Sequence, residues 1–171
     1  MSTPRPRTGW VEHPRLLEHD TGPGHVERPD RLVAVVRRLE ASGLAAEVDR
    51  RAAEPLAPAR LALVHDERYV RDNVARIAAG TRVLDWGDTV VGVHSHEAAL
   101  LAAGAVVDAC DRVLAGEWRN AFCAVRPPGH HAERDRAMGF CLYNNVALAA
   151  AHLRAGGLAR VAIADFHVHH G

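Results

Sequence analysis

VRPPGHHAERDRAMGFCLYNN, from Val125 to Asn145, and IADFHVHHG, from Ile163 to Gly171, decide the reading of this sequence. The first stretch sets two adjacent histidines, His130 and His131, in a loop rich in Pro and Gly. The second ends a strand-like apolar run with Asp165, His167, His169 and His170. A helical pattern from Asn144 to Ala155 lies between them and stops at Gly156-Gly157. Ala121 to Val125 and Val161 to Phe166 read as short strands ahead of the two clusters. Strand, loop, helix and strand make a βαβ unit, and strands apolar on both faces belong in a parallel sheet covered by helices. In such sheets ligands sit outside the carboxyl ends of the strands, where both clusters lie.

Working outward, the longest helix is expected from Ser95 to about Leu114, ended by Gly116, with many Ala residues for close packing on a sheet. Asp66 is placed to cap a helix through Ile77, with Tyr69, Val70, Val74 and Ile77 on one face. A further helix should start near Pro29, with Leu32, Val35, Val36 and Leu39 at helical spacing and Gly43 after it. Residues 44–60 and 80–94 read as loops, and Ala59 to Val64 as a short apolar stretch. Met1 to Thr8 is polar and Pro/Arg-rich, which predicts disorder. The division expected is an arm over 1–18 and one domain from 19 onward.

Hydrophobic residues make up 48% of the 171, enough for a core. The 21 basic side chains other than His are all Arg and balance 21 acidic ones, so nothing general points to a nucleic-acid or membrane partner. An all-Arg, Ala-rich composition suggests a GC-rich bacterial source. Cys110, Cys123 and Cys141 are too scattered for a disulfide framework and fit a reducing cytoplasm. The N-terminus has no apolar core of a secretory signal.

Five of the 12 histidines fall in the two clusters, which favours a metal or acid–base site over singly satisfied rings. Asp165, His167 and His169 alternate, so in an extended chain they share one side, and an H-x-H pair there suits a metal such as zinc. A solvated strand end fits the same spacing equally well. Successive side chains diverge, so His130-His131 suits a proton-handling pair beside a metal better than two ligands of one ion. Asp165 is placed to orient one of them. Incidental loop histidines are the alternative, disfavoured by the stiff Arg126-Pro127-Pro128-Gly129 ahead of them. Phe140, after Gly139, suits either an apolar slot or the core. Cys141 reads as a buried small hydrophobe, Asp88 as a turn residue, and His94 and His96 as surface or capping residues.

These residues resemble the histone deacetylase superfamily, and most closely its bacterial members: class II-like deacetylases, acetoin-utilisation proteins and acetylpolyamine amidohydrolases. The likeness runs from about His19 through GHVERPDRL, VHDERYV, EAALLAAGAVVDA, RPPGHHAERDRAMGFCLYNNVALAA and the final HHG. The resemblance implies an arginase/deacetylase-like α/β fold, a three-layer parallel sheet between helices with zinc at its carboxyl edge. It implies His131 as general base, His130 as its electrostatic partner and Asp165 as the carboxylate bonded to His130. His169 matches a zinc-ligand histidine. Gly139 and Phe140 resemble the wall of an acyl-lysine tunnel, and Asp88 its rim aspartate. A K⁺ site would draw on Asp165, His167 and His169. The substrate would be an acetylated lysine or acetylated small amine.

Two departures stand out. The family pattern D-x-D-x-H-H-G has a zinc-binding Asp where this sequence has His167, so the metal would fall to His167 and His169. The sequence also stops at Gly171, where the family continues for about as long again with a further Asp ligand and a carbonyl-polarising tyrosine. The expectations are an incomplete fold, low or no deacetylase activity, and an unpaired sheet edge open to self-association or to a complementing C-terminal half. An inactive remnant or a metal-binding interaction module is the alternative function, and a self-contained metallohydrolase a third.

Overall fold

Trp10 and Val11 lie at the middle of a parallel sheet. They belong to β1 (Arg7–Glu12), which pairs with β2 (Asp49–Ala52) on one side and β3 (Trp118–Cys123) on the other, in the order β2-β1-β3. The computed structural model of the chain describes residues 7–167. Alternation along a strand sends Trp10 and Val11 to opposite faces. On the Trp10 side, Arg50 of β2 lies 4.4 Å from the indole centroid and donates to Glu40 at 3.1 Å. Glu40 belongs to α1 (Pro29–Ala41). On the Val11 side, its register partner Cys123 reaches the Ala105 carbonyl at 3.5 Å, in α3 (Ser95–Leu114). Helix, sheet and helix are thus three layers, and α2 (Glu67–Ala78) and α4 (Asn145–Ala155) pack on α3. The expected parallel sheet flanked by helices is present, with three strands among the described residues.

The Ala-rich sequence of α3 does what its small side chains allow. A Cβ on Gly104 would sit 1.9 Å from the Glu54 carbonyl oxygen, so only Gly lets the helix touch the backbone there. Leu56 N donates to Leu100 O across the same contact at 2.9 Å. Under this helix a second core forms from Tyr69, Ile77, Leu100, Ala103, Leu142 and Leu148. It supports the loop that carries His130 and His131. No helix among the described residues is long and apolar enough to cross a membrane.

Four expectations need correction. From Arg7 onward the stretch read as an arm supplies the central strand, and Trp10, Val11 and Leu16 are core residues. Within 44–60, β2 is a charged strand whose Asp49 accepts from Trp118 Nε1 at 2.8 Å. Its charges protect a sheet edge rather than marking a loop. On α2, Asn73 is buried where Val74 was expected, and Val74 is exposed. The stretch from Val161 to Phe166 is not a strand: it has no regular structure, and Ile163 and Phe166 are exposed. A cavity of about 540 Å³, lined by Cys123, Val125, His130, Asn145, Ile163 and Asp165, separates it from the end of β3. Apolar residues make a strand only where a neighbouring backbone pairs with them, and none of the described strands does.

One polar cluster is fully inside. Arg126 holds Glu27 at two points, Nε to Oε1 at 3.0 Å and Nη2 to Oε2 at 2.9 Å. His19 Nε2 lies 3.5 Å from the same carboxylate, and His19 Nδ1 is 2.7 Å from Ser95 Oγ. Burial first, and then the Arg126 cation, push His19 from 6.5 down to about 4, against the pull of Glu27. Between those values the unfolded chain binds a proton that the folded chain refuses. Stability is therefore full above pH 6.5 and falls as pH drops towards 4, by up to about 3 kcal/mol. Burial lowers His65 and His96 in the same direction. Urea midpoints measured across this window should fall less steeply in His19→Gln than in wild type; equal slopes would exclude His19 as the source.

Candidate active site

His130 and His131 are held by the sequence around them. Ala132 N donates to Gly129 O at 3.1 Å, so the two histidines occupy the centre of a tight turn. In that turn their rings lie together, with centroids 4.2 Å apart. The expected divergence of neighbouring side chains applies to extended backbone, and this backbone is not extended. Asn144 and Asn145 clamp the loop from the start of α4. Asn144 accepts from Ala147 N at 2.9 Å as helix cap and donates through Nδ2 to the carbonyls of His130 (3.3 Å) and Ala132 (3.1 Å). Asn145 Nδ2 donates to Pro127 O at 3.4 Å. Behind them, His65 Nε2 accepts from Asn144 N at 2.9 Å, while Nδ1 lies 3.3 Å from Arg134 O. Burial lowers His65 and so favours the neutral ring that this acceptor role needs.

Asp165 reaches the same place from the other side of the cavity. Its Oδ2 is 2.7 Å from His130 Nδ1, and its Oδ1 is 2.9 Å from His167 Nδ1 and 3.2 Å from His167 N. Hydrogen bonds from His130 first and His167 second hold the Asp165 carboxyl far below the usual carboxylate range. An ionised carboxylate only accepts, so both imidazoles present an Nδ1–H to Asp165, and Nε2 is the nitrogen that would face a metal. The His167 ring lies 4.0 Å from His130 and 5.3 Å from His131. One ring nitrogen from each of His130, His131 and His167 lies within 4.8 Å of the others. Neutral imidazoles are good zinc donors, so this donor set fits the metal. His169 lies outside the described residues.

Gly139 and Phe140 form the wall next to His131. Cys141 N donates to Met138 O at 2.9 Å, and the two residues between have φ of 56° and 69°. Positive φ at both centres is the mark of a type I′ turn, which Gly takes freely and Phe only under strain. A Cβ on Gly139 would come within 2.6 Å of His131 Cδ2, so His131 is seated directly on the glycine. Phe140 N donates to Thr89 Oγ1 at 3.2 Å, and the His25 ring meets the Phe140 ring edge-on at 4.9 Å.

Asp88 lies in the adjoining loop, which Asp85 organises by accepting from the backbone N–H groups of Gly87, Asp88 and Thr89. Burial tends to raise Asp85, but bonds from Asp88, Thr89 and this backbone outweigh it and hold it well below the usual range. The hydrogen bond with Asp85 in turn pushes Asp88 up. His25 Nε2 is 3.2 Å from Asp88 O, tying the loop to the Phe140 turn.

Residues 25–171 match the family model of the histone deacetylase domain. The chain belongs to the histone deacetylase family. Its sequence is 40% identical over 167 residues to the histone deacetylase-like amidohydrolase of Pseudomonas aeruginosa, covering 97% of this chain and 42% of that protein. It is 40% identical over 152 residues to the polyamine deacetylase HDAC10 of Homo sapiens, covering 85% of this chain and 23% of that one. The solved structure of the HDA15 HD domain superposes with a TM-score of 0.82 at 35% identity, over 89% of this chain and 44% of that one. The chain thus spans less than half the length of these relatives.

In this histone deacetylase family chain, His130, His131, Asp165 and His167 come together, with Gly139 and Phe140 beside His131 and Asp88 in the adjoining loop. Cys141 is buried and its thiol is pushed up to about 12 by that burial, as a small hydrophobe should be. His96 departs from its surface reading: its Nδ1 is 2.9 Å from Tyr143 Oη beneath the loop. His25, His65, Asp85 and Thr89 are supporting residues that spacing did not single out. Asp85, two residues before Gly87 in a loop, carried a local signal, that of an aspartate closing on backbone amides.

Proposed function

We propose that this chain supplies the proton-handling part of a zinc-dependent deacetylase centre that releases acetate from an acetylated lysine or acetylated small amine. The contact that carries the reading is His130 Nδ1 to Asp165 Oδ2 at 2.7 Å, with the His131 ring against His130. His167, and by resemblance His169, would hold the zinc. A bound zinc ion would act as Lewis acid towards the acetyl carbonyl and the attacking water. His131 takes the proton of that water on an unprotonated ring nitrogen and later delivers it to the leaving amine. Asp165 fixes the His130 tautomer, and the His130–Asp165 pair offsets the positive charge that His131 gains. The Phe140 ring gives the alkyl stem of the substrate an apolar wall, and Asp88 accepts an N–H from the substrate at the rim. Among the described residues β3 is an edge strand, and further strands, of a second copy or of a complementary half, would add there. His167 in place of Asp supports a second reading, metal binding without catalysis.

Acetate release from an acetyl-lysine peptide and from an acetylated polyamine tests the first reading. The chain is assayed alone and mixed with the part of the Pseudomonas relative beyond the region it matches. Zinc-dependent release that disappears in His131→Ala is the expected result in the mixture. No release in either arm leaves the second reading.

A further inference from the structure

We propose that His130, His131 and His167 together form a three-imidazole centre for one divalent transition-metal ion, with Asp165 fixing two of its ligands. Four observations meet here. Each histidine offers a ring nitrogen within 4.8 Å of those of the other two, close enough to converge on a single ion. The turn over residues 129–132 puts two neighbouring imidazoles on one side of the chain, an arrangement that extended backbone forbids. Asp165 accepts from Nδ1 of both His130 and His167, which assigns the metal-binding role to Nε2 of each ring. All three rings are half-buried and so partly stripped of water, and His130 lines the cavity beside them.

The donor set also selects the ion. Three neutral imidazoles favour Zn²⁺, Ni²⁺ or Cu²⁺ over Mg²⁺ or Ca²⁺, which want oxygen. Asp165 supplies one negative charge behind the ligands, which offsets part of the ion's charge without Asp165 itself binding the ion. His167 is what makes this centre: the D-x-D pattern that the sequence resembles has no imidazole at that position to share with the loop pair.

The consequence goes beyond the deacetylase reading. A metal on His131 occupies the lone pair that proton transfer needs, so this site and base catalysis by His131 are mutually exclusive. His167 cannot serve this ion and a catalytic zinc at once, so zinc held by the three imidazoles would block acetate release. The binding itself is measurable whether or not the chain hydrolyses anything, which separates failure of one reading from failure of the other.

Competition between the full chain and a chromophoric chelator for Zn²⁺ tests the site, with Mg²⁺ as the control. One equivalent should bind to wild type. His131→Ala should weaken binding about 10–100-fold or more, since the loss of even an outer partner of a ligand costs that much. X-ray absorption of the zinc-loaded wild type guards against a variant that fails to fold, and should count three imidazoles. Wild type that binds no zinc, unchanged affinity in a folded His131→Ala, or two imidazoles or fewer at the metal would each overturn the proposal.

Discussion

Glu27→Ala is expected to destabilise the chain by about 3–5 kcal/mol, because it strands a buried guanidinium. Arg126 is 0% exposed at its side chain and Glu27 6%, so water cannot replace the lost carboxylate. What remains to the cation is the pair of carbonyls of Leu16 and Leu17, at 3.0 and 3.4 Å, which carry dipoles but no charge. The exposed pair Arg15–Glu18, at 3.2 Å, sets the contrast: both partners are solvated, and such pairs contribute about 0–1 kcal/mol. A domain with a total stability of about 5–15 kcal/mol has little margin for the buried loss. Loss of the Glu27 charge also removes the larger of the two carboxylate pulls, Glu27 and Asp20, that offset Arg126 at His19, so acid sensitivity should increase. Glu27→Leu combined with Arg126→Met removes both charges and should recover much of the stability. Urea unfolding of the three variants checks this. A Glu27→Ala cost below about 1 kcal/mol would mean that the pair is relaxed or hydrated.

That pair also shows what the sequence could not tell. Glu27 and Arg126 are 99 positions apart, and each sits in a motif that was legible by itself. Nothing local says that one motif supplies the counter-ion of the other. The helices were readable from apolar spacing and glycine stops, although Asp66, expected to cap α2, makes no side-chain hydrogen bond to that helix's first turn. Asn144 does cap α4, and Gly43 and Gly116 do follow α1 and α3. Strands β1 and β2 were missed because a short strand paired to a neighbouring backbone needs little apolar signal of its own. In β1 only Trp10 and Val11 are large and apolar, and in β2 the pairing is reinforced by Arg50, which bonds Glu12, and by Asp49, which accepts from Trp118. From Val161 to Phe166 the opposite holds: the apolar signal is strong, but β3 stands across a cavity and no ladder forms.

At the candidate site, residue types were legible and mutual geometry was not. The resemblance implied a His130–Asp165 contact, and the two side chains lie 2.7 Å apart. The meeting of His130 with His131 ran against the argument from alternation, because a turn replaces the extended chain on which that argument rests. The strain at Phe140 has no sequence signal, since a bulky residue with φ of 69° is the last choice for such a position. It persists because Thr89 Oγ1, itself held by Asp85, accepts from the Phe140 amide.

Asp165→Asn is expected to lower acetate release about 10²–10⁴-fold wherever wild type shows it, the range that positioned proton transfer contributes. Asp165 accepts from two Nδ1–H groups at once, 2.7 Å to His130 and 2.9 Å to His167. A carboxamide has one accepting oxygen, and its NH₂ can only donate. The imidazole that meets the NH₂ must turn its Nδ1 into an acceptor and move its proton to Nε2. Whichever ring gives way loses its outward lone pair: His130 as partner of the base, or His167 as donor to a metal. The negative charge that offsets a protonated His131 disappears in either case. Stability should hardly change, because the Asp165 side chain is 35% exposed and lies in a segment outside the sheet. Asp165→Ala separates the two effects, since it removes the charge but lets water accept from both rings. It should therefore retain more activity than Asp165→Asn. Nitrogen NMR of the labelled rings reads the tautomers directly. If both rings keep the proton on Nδ1 in Asp165→Asn while acetate release falls, the loss comes from charge alone. If release is unchanged, the contact between Asp165 and His130 plays no part in the reaction.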